Sequence, residues 1–241
     1  MTNIFRNIRK LKLNEKSLIS YIKYGFGEII LVVIGILIAV QLNNLNNKRI
    51  EKKEEAIIIK SIKSDLESNL KVIEETIDYN QYTINQYQKI ENYILNNLAY
   101  NKELEVSFGY LRLWSSPYLR STTYNSVKSK GIDLISNTHL KEKISQLYDN
   151  QLSKLLNDYD RVEWEFNQNV VNPFFVKHFR YNIKKSLNEA TANNYDKLKI
   201  DDEFLNILSV LIRTRKKGIQ HCNETIYLMK DLINDIDSFF N

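Results

Sequence analysis

Residues 59–98 read IKSIKSDLESNLKVIEETIDYNQYTINQYQKIENYILNNL, and their periodicity decides the fold. Apolar side chains recur at Ile59, Ile62, Leu66, Leu70, Ile73, Ile77, Ile84, Tyr87, Ile94 and Leu98. The steps are three, four or sums of them, which gathers these residues on one face of a long helix. No Gly or Pro interrupts the chain from Asn43 to Asn97. Asn80 and Glu91 break the stripe, so the seam is not a strict coiled coil. Just upstream, Asn47-Lys-Arg-Ile-Glu-Lys-Lys-Glu-Glu55 is almost wholly charged and predicts a solvated helical stalk over 43–58.

Two further long helices follow. One starts near Asn137, a good N-cap, with Glu142 in an early turn. Its stripe is Leu140, Ile144, Leu147/Tyr148, Leu155, Tyr159, Val162, Phe166 and Val170. Asn172-Pro173 is expected to end it, because the residue before Pro is pushed out of the helical region. The other starts near Asp201/Asp202, acids that suit a helix N-terminus. Its stripe is Leu208, Leu211, Ile219, Cys222, Ile226, Met229, Ile233 and Ile236, with Arg215 intruding. Between the first two helices, 121–131 reads as a short helix stopped by Gly131. Ile132, Leu134 and Ile135 then supply apolar anchors, with Trp114 and Pro117 just before the short helix. These pieces predict a small cap of short helices at the far end of a bundle. At ~1.5 Å per residue the first helix is roughly 80 Å long and the other two roughly 50–55 Å. The fold class expected is all-α, an N-terminal transmembrane helix continuing into a long helix packed with two further long antiparallel helices. Six Gly and two Pro in 241 residues argue against sandwiches, barrels and doubly wound sheets.

Working outward to the N-terminus, residues 29–40 are uninterrupted apolar. They span only about 18 Å, but the stretch 24–42 reaches roughly 28 Å, enough to cross a bilayer core. A cleaved signal peptide would need small residues at its cleavage site, and Leu37 stands three residues before Val40 with Gln41 following. A type IV prepilin would place its Glu five residues beyond the cleaved Gly, whereas Glu28 is three beyond Gly25, and nothing downstream reads as β. An uncleaved signal anchor fits best. The division expected is a basic tail over 1–23, a transmembrane segment over 24–42, a stalk over 43–58 and a bundle over 59–241.

The formal charge of +5 belongs to the tip. Residues 1–27 carry Arg6, Arg9, Lys10, Lys12, Lys16 and Lys23 against Glu15, and the remaining 214 residues hold 28 side chains of each sign. The charge is therefore a topology signal and not a nucleic-acid footprint. It favours a cytoplasmic N-terminus and a periplasmic body, with Tyr21, Tyr24 and Phe26 as an aromatic belt. Residues 18–24 form a weakly amphipathic stretch suited to the cytoplasmic surface. Glu28 is open to two readings: a snorkelling side chain at the interface, or a contact or ion site between helices of an oligomer. Gly35 and Ala39 have small-xxx-small spacing for transmembrane packing.

No catalytic, cofactor-binding or metal site is recognised, and no cofactor is expected. There is no phosphate-cradling Gly-rich loop or G-x-S-x-G elbow. His139, His178 and His221 read as scattered surface residues, although His221 and Glu224 share a helix face. Arg213-Thr-Arg-Lys-Lys217 reads as a solvated basic run. The single Cys, Cys222, lies on an apolar stripe and reads as a buried thiol, the alternative being an exposed one that links two chains. Phe174–Tyr181 is expected at the membrane-near end of the bundle, packing over its open end or touching headgroups.

Two segments carry a family resemblance. Phe5-Arg-Asn-Ile-Arg9 followed by Gly27-Glu-Ile-Ile-Leu-Val-Val-Ile-Gly-Ile-Leu-Ile-Ala-Val-Gln-Leu-Asn-Asn44, and Thr123-Tyr-Asn-Ser-Val-Lys-Ser-Lys-Gly131, resemble a family of uncharacterised single-pass membrane proteins common in Bacteroidota. Leu45 stands where that family commonly has Trp. The resemblance implies the anchored architecture and no activity. The function expected is an inner-membrane-anchored helical scaffold or protein-interaction module, self-associating or binding another protein, and not an enzyme. The alternative is a sensor that couples an outer bundle to a partner through the membrane helix.

Overall fold

The computed structural model describes residues 15–181 and 188–240, with side chains from Tyr21 onward. The basic leader over 1–14 and the side chains of 15–20 lie outside the described residues. The first helix, α1, is one uninterrupted element, Glu15–Leu95. It ends where Asn97 takes a positive φ of 49°, with Leu98 N–H returning to Tyr93 O at 2.9 Å. Asn is among the few residues that adopt this conformation cheaply. The chain divides into two compact units, 1–54 and 55–241.

In the first unit every described residue from Glu28 to Glu54 is exposed. The helix holds a window of mean hydropathy 2.4 with none of it buried, which is long and apolar enough to cross a membrane.

Among its described residues the second unit is all-α apart from one small hairpin. Short helices α2 (Leu104–Gly109) and α3 (Thr122–Lys130) precede a long helical stretch, α4, over 138–178. After the hairpin come α5 (Tyr195–Leu198) and α6 (Asp202–Phe240). Asn137 caps α4, its side chain accepting from Leu140 N–H at 3.1 Å, and Asp201 accepts from Phe204 N–H at 3.1 Å at the start of α6. Gly131 stops α3 at φ 118°, a backbone that L side chains rarely adopt.

A seam of buried positions on α1 runs Glu55, Ile59, Ile62, Leu66, Asn69, Ile73, Thr76, Asn80, Thr83, Tyr87, Ile90 and Ile94, with Ile84 buried beside it. Beyond the first they alternate three and four, the spacing of a heptad seam with polar side chains at several positions. The direction of each helix follows from its partners. Glu55 accepts from Ser136 N–H at 2.6 Å at the start of α4, while Ile90 and Ile94 share a core with Phe174 and Phe175 at its end. Thus α1 and α4 run the same way. The α6 helix runs opposite to both, with Phe204 at the Ile94 end and Asp237 2.5 Å from Lys63.

Two parallel helices need a long return, and residues 96–137 supply it. Leu104, Phe108 and Leu111 pack at the Ile94 end, Asn69 brackets Arg120 midway, and Ser136 reaches Glu55. Accordingly α3 does not join a cap. Tyr124 and Val127 pack into the Glu55-end core, with Tyr124 stacked on Tyr148 at 4.6 Å.

Three further expectations are corrected. The α4 stretch continues through Asn172-Pro173 to His178. A π-helical turn, Asn167–Val171, ends two residues before the proline. Its wider winding displaces the carbonyl that a Pro ring would otherwise strike. Phe174–Tyr181 lies at the Ile94 end and not at the Glu55 end, because α4 is parallel to α1. And a β element exists: Phe179–Tyr181 pairs antiparallel with Ala190–Ala192, Arg180 opposite Thr191. Gly109 admits this hairpin, since a Cβ there would stand 1.8 Å from Asn188 O.

Candidate functional site

The core falls into two apolar clusters. One gathers Ile59–Ile73 of α1 with the first half of α4 and the second half of α6. The other gathers Tyr87–Ile94 with the end of α4, the start of α6 and the hairpin. Between them lies a polar layer to which each long helix contributes: Asn80 and Thr83 from α1, Glu163 and Asn167 from α4, and Arg215 from α6.

Arg215 is the hub. Its side chain is fully buried. One terminal nitrogen donates to Asn80 Oδ1 at 2.9 Å. The other donates to Leu113 O at 2.7 Å and stands 3.1 Å from Glu163 Oε1. Its guanidinium carbon lies 5.8 Å from the Tyr79 ring centroid, a cation–π contact. Asn80 and the Tyr159 hydroxyl also bond each other at 2.8–3.0 Å. Gly218, one turn past Arg215, lets the Tyr159 ring come this close, for a Cβ there would stand 2.4 Å from the ring.

The layer also holds the return segment. Tyr87 Oη donates to Tyr110 O at 3.1 Å, Asn167 Nδ2 to Arg112 O at 2.8 Å, Arg215 to Leu113 O, and Asn69 closes both backbone groups of Arg120 at 2.7–2.8 Å. An irregular strand covering a core carries backbone groups that no ladder satisfies, and side chains from all three long helices satisfy them here.

Burial sets the electrostatics. It pushes the Glu163 carboxyl above its ordinary range, against the pull of Arg215. Burial likewise holds the phenols of Tyr79 and Tyr159 well above the usual tyrosine range. Arg215 is desolvated too, but the acidic groups facing it, Tyr87 and Glu163 first, keep it protonated. The folded chain therefore takes up the Glu163 proton more readily than the unfolded chain. Glu163 contributes stability that is full below the unperturbed value of 4.5 and is lost as pH rises through the raised folded value. Compared with Glu163→Gln, the unmodified protein should gain relative stability as pH falls from about 7 towards 4.5. Urea midpoints of the two proteins across that range check this, and a difference moving the other way would contradict it.

The layer is buried and most of its groups hold one another, Glu163 Oε2, Asn167 Oδ1 and Arg215 Nε being the buried atoms without a hydrogen bond among the described residues, and the role these contacts support is positioning. A buried polar contact is satisfied in one helix register only, the best-attested role of such groups.

The residues singled out from sequence distribute as follows. Glu28, Gly35 and Ala39 are exposed on α1, and nothing stands within 4 Å of a Cβ built on Gly35. Cys222 is buried and free, and burial pushes its thiol up to about 12. The basic run 213–217 is not uniformly solvated: Arg213, Lys216 and Lys217 are exposed, but Arg215 is the hub of the core. His221 is also buried and not a surface residue, with Glu224 3.6 Å away. Among the described residues no three His, Cys, Asp or Glu side chains group as a metal site. Glu163 was not singled out by the periodicity. Two signals pointed at the layer nonetheless, for Asn80 and Arg215 are the breaks in the stripes of α1 and α6, and they bond each other.

No family model, curated protein or solved structure matches the chain.

Proposed function

We propose that the protein is a single-pass inner-membrane protein anchored by residues 24–42, whose helical body lies in the periplasm and acts as a scaffold or protein-interaction module. The observation that carries the reading is the apolar stretch of α1. From Ile29 to Val40 every side chain is exposed, Leu31 at 71%. A patch this continuous needs an apolar surrounding, and with its flanks over 24–42 it reaches roughly 28 Å, enough to cross a bilayer core. The basic excess of residues 1–27 supports a cytoplasmic N-terminus. Self-association through the apolar helix, where Gly35 and Ala39 are spaced for close approach, and binding of another protein belong to the same reading. No catalytic step is assigned to it.

The test has two arms. A C-terminal alkaline phosphatase fusion should be active and a C-terminal fluorescent-protein fusion dark, the pattern of a body outside the cytoplasm. In-membrane crosslinking followed by mild-detergent pull-down and mass spectrometry should recover a homo-oligomer or a discrete partner. The reverse fusion pattern would overturn the topology, and monomer with no partner would overturn the scaffold.

A second reading, a signal-transmitting subunit, is favoured by one observation: the apolar stretch and the buried seam belong to the same unbroken helix. It places a cytoplasmic-side contact at Glu28, so Glu28→Gln with an unchanged phenotype would remove it.

A further inference from the structure

Outside the polar layer, α1 and the return segment enclose an open recess of about 480 Å³. Val72 and Thr76 of α1 line it, with Glu75 beside them, and Trp114, Ser115, Ser116 and Tyr118 line it from the return segment. The volume is that of a small-molecule site.

The recess is built before anything enters it. Its far wall is fixed at one end by Arg215, which holds Leu113 O, and at the other by Asn69, which holds both backbone groups of Arg120. Within the wall, Trp114 Nε1 donates to Ser116 Oγ at 3.1 Å, and Ser116 Oγ donates to Asp160 Oδ1 at 2.6 Å. These bonds set the indole and hold a carboxylate directly behind the hydroxyl. Tyr118, in contrast, is 87% exposed. An exposed ring beside a fixed one is a surface that gains by being covered, and a preformed site loses little on ordering.

Charge selects what covers it. Glu75 lines the recess and Asp160 stands behind Ser116, and neither has an ion-pair partner among the described residues. Among the described residues no basic side chain lines the recess. Arg120, the basic residue closing the wall, directs its guanidinium to Ser68 Oγ at 3.3 Å. Two aromatic rings with carboxylates and no cation suit a positively charged guest, because the ring faces and the carboxylates attract the same ligand.

We propose that this recess binds a small organic ammonium cation, held between the Trp114 and Tyr118 rings and paired with Glu75. The proposal goes beyond the scaffold reading, and its failure leaves that reading intact.

The test uses the full chain in a maltoside detergent, with Trp164→Phe so that Trp114 is the remaining tryptophan. Choline, spermidine and 3,3-dimethylbutan-1-ol, the uncharged isostere of choline, are titrated at constant ionic strength while the emission of Trp114 is followed. Choline or spermidine should give a saturable change and the isostere none. Glu75→Gln should weaken binding about 10-fold and Tyr118→Ala roughly 3- to 30-fold. Both residues are exposed, so thermal unfolding of the variants should match the parent. Three results would overturn the proposal: no saturable change with either cation up to about 20 mM, equal binding of the isostere, or unaltered affinity in both variants.

Discussion

Replacing Arg215 with methionine is expected to lower the unfolding free energy of the helical body by about 3–5 kcal/mol at neutral pH. Methionine fills much of the same space, so the loss is not mainly a cavity. It comes from what is left behind. Glu163, 2% exposed, would keep its burial and lose its counter-ion. Leu113 O would lose its donor, as would one bond at Asn80. Each buried group left unpaired costs on the order of 1–3 kcal/mol. The exposed ion pairs on the body, such as Arg161–Glu165, offer no comparable effect, since water and salt screen them. Glu163 has one escape, which is to take up a proton, so the penalty should shrink as pH falls. Adding Glu163→Leu to Arg215→Met should recover part of the loss, because an apolar pair of similar volume removes the stranded charge. Denaturant unfolding followed by circular dichroism measures all three proteins. A loss below about 1 kcal/mol for Arg215→Met would show that the layer does not organise the core.

That layer also marks where the sequence was readable and where it was not. The helical class followed from the three-and-four spacing of α1 and the stripe of α6. The starts at Asn137 and Asp201 followed from side chains that accept from backbone N–H groups within the first turn. Gly131 was readable as a stop because few residues tolerate its φ. Glu163 was hidden for a geometric reason. A period of 3.6 carries the α4 stripe from Tyr159 to Val162, Phe166 and Val170. The structure fully buries Glu163, Asn167 and Val171, leaves Phe166 and Val170 half-buried against the core, and leaves Val162 47% exposed. The stretch includes the π turns Leu155–Asp160 and Asn167–Val171, which wind more residues per turn and advance the buried face by one. Nothing in the composition announces those turns. The same winding explains the helix that runs through Pro173. The hairpin strands are three residues each, too short for alternation to register, and Gly109 shows its role only once the hairpin lies against it. The parallel course of α1 and α4 depends on a return segment held by scattered side chains, a long-range pattern that no local rule encodes.

Placing an arginine at Ile34, in the middle of the apolar stretch, is expected to release the chain from the membrane. The residue is 46% exposed on α1, with apolar neighbours on both sides. No described residue near it can bury or pair a guanidinium, since 28–54 is exposed throughout. A charge at the centre of a crossing helix costs about 2.5–3.5 kcal/mol on insertion scales, roughly a 70- to 400-fold shift away from the inserted state. The stretch has little reserve to absorb it, because its uninterrupted core spans only about 18 Å. Position should decide the size of the effect. An arginine at Leu42 would sit at the edge, where the side chain can reach the headgroups, and should be nearly silent. Alkaline-carbonate extraction of membranes from cells expressing each variant reads the outcome. Ile34→Arg should move to the soluble fraction while Leu42→Arg and the parent stay in the pellet. Equal extraction of all three would mean that the exposed apolar face of α1 is covered by protein and not by lipid, and the anchoring role would pass from the bilayer to a partner helix.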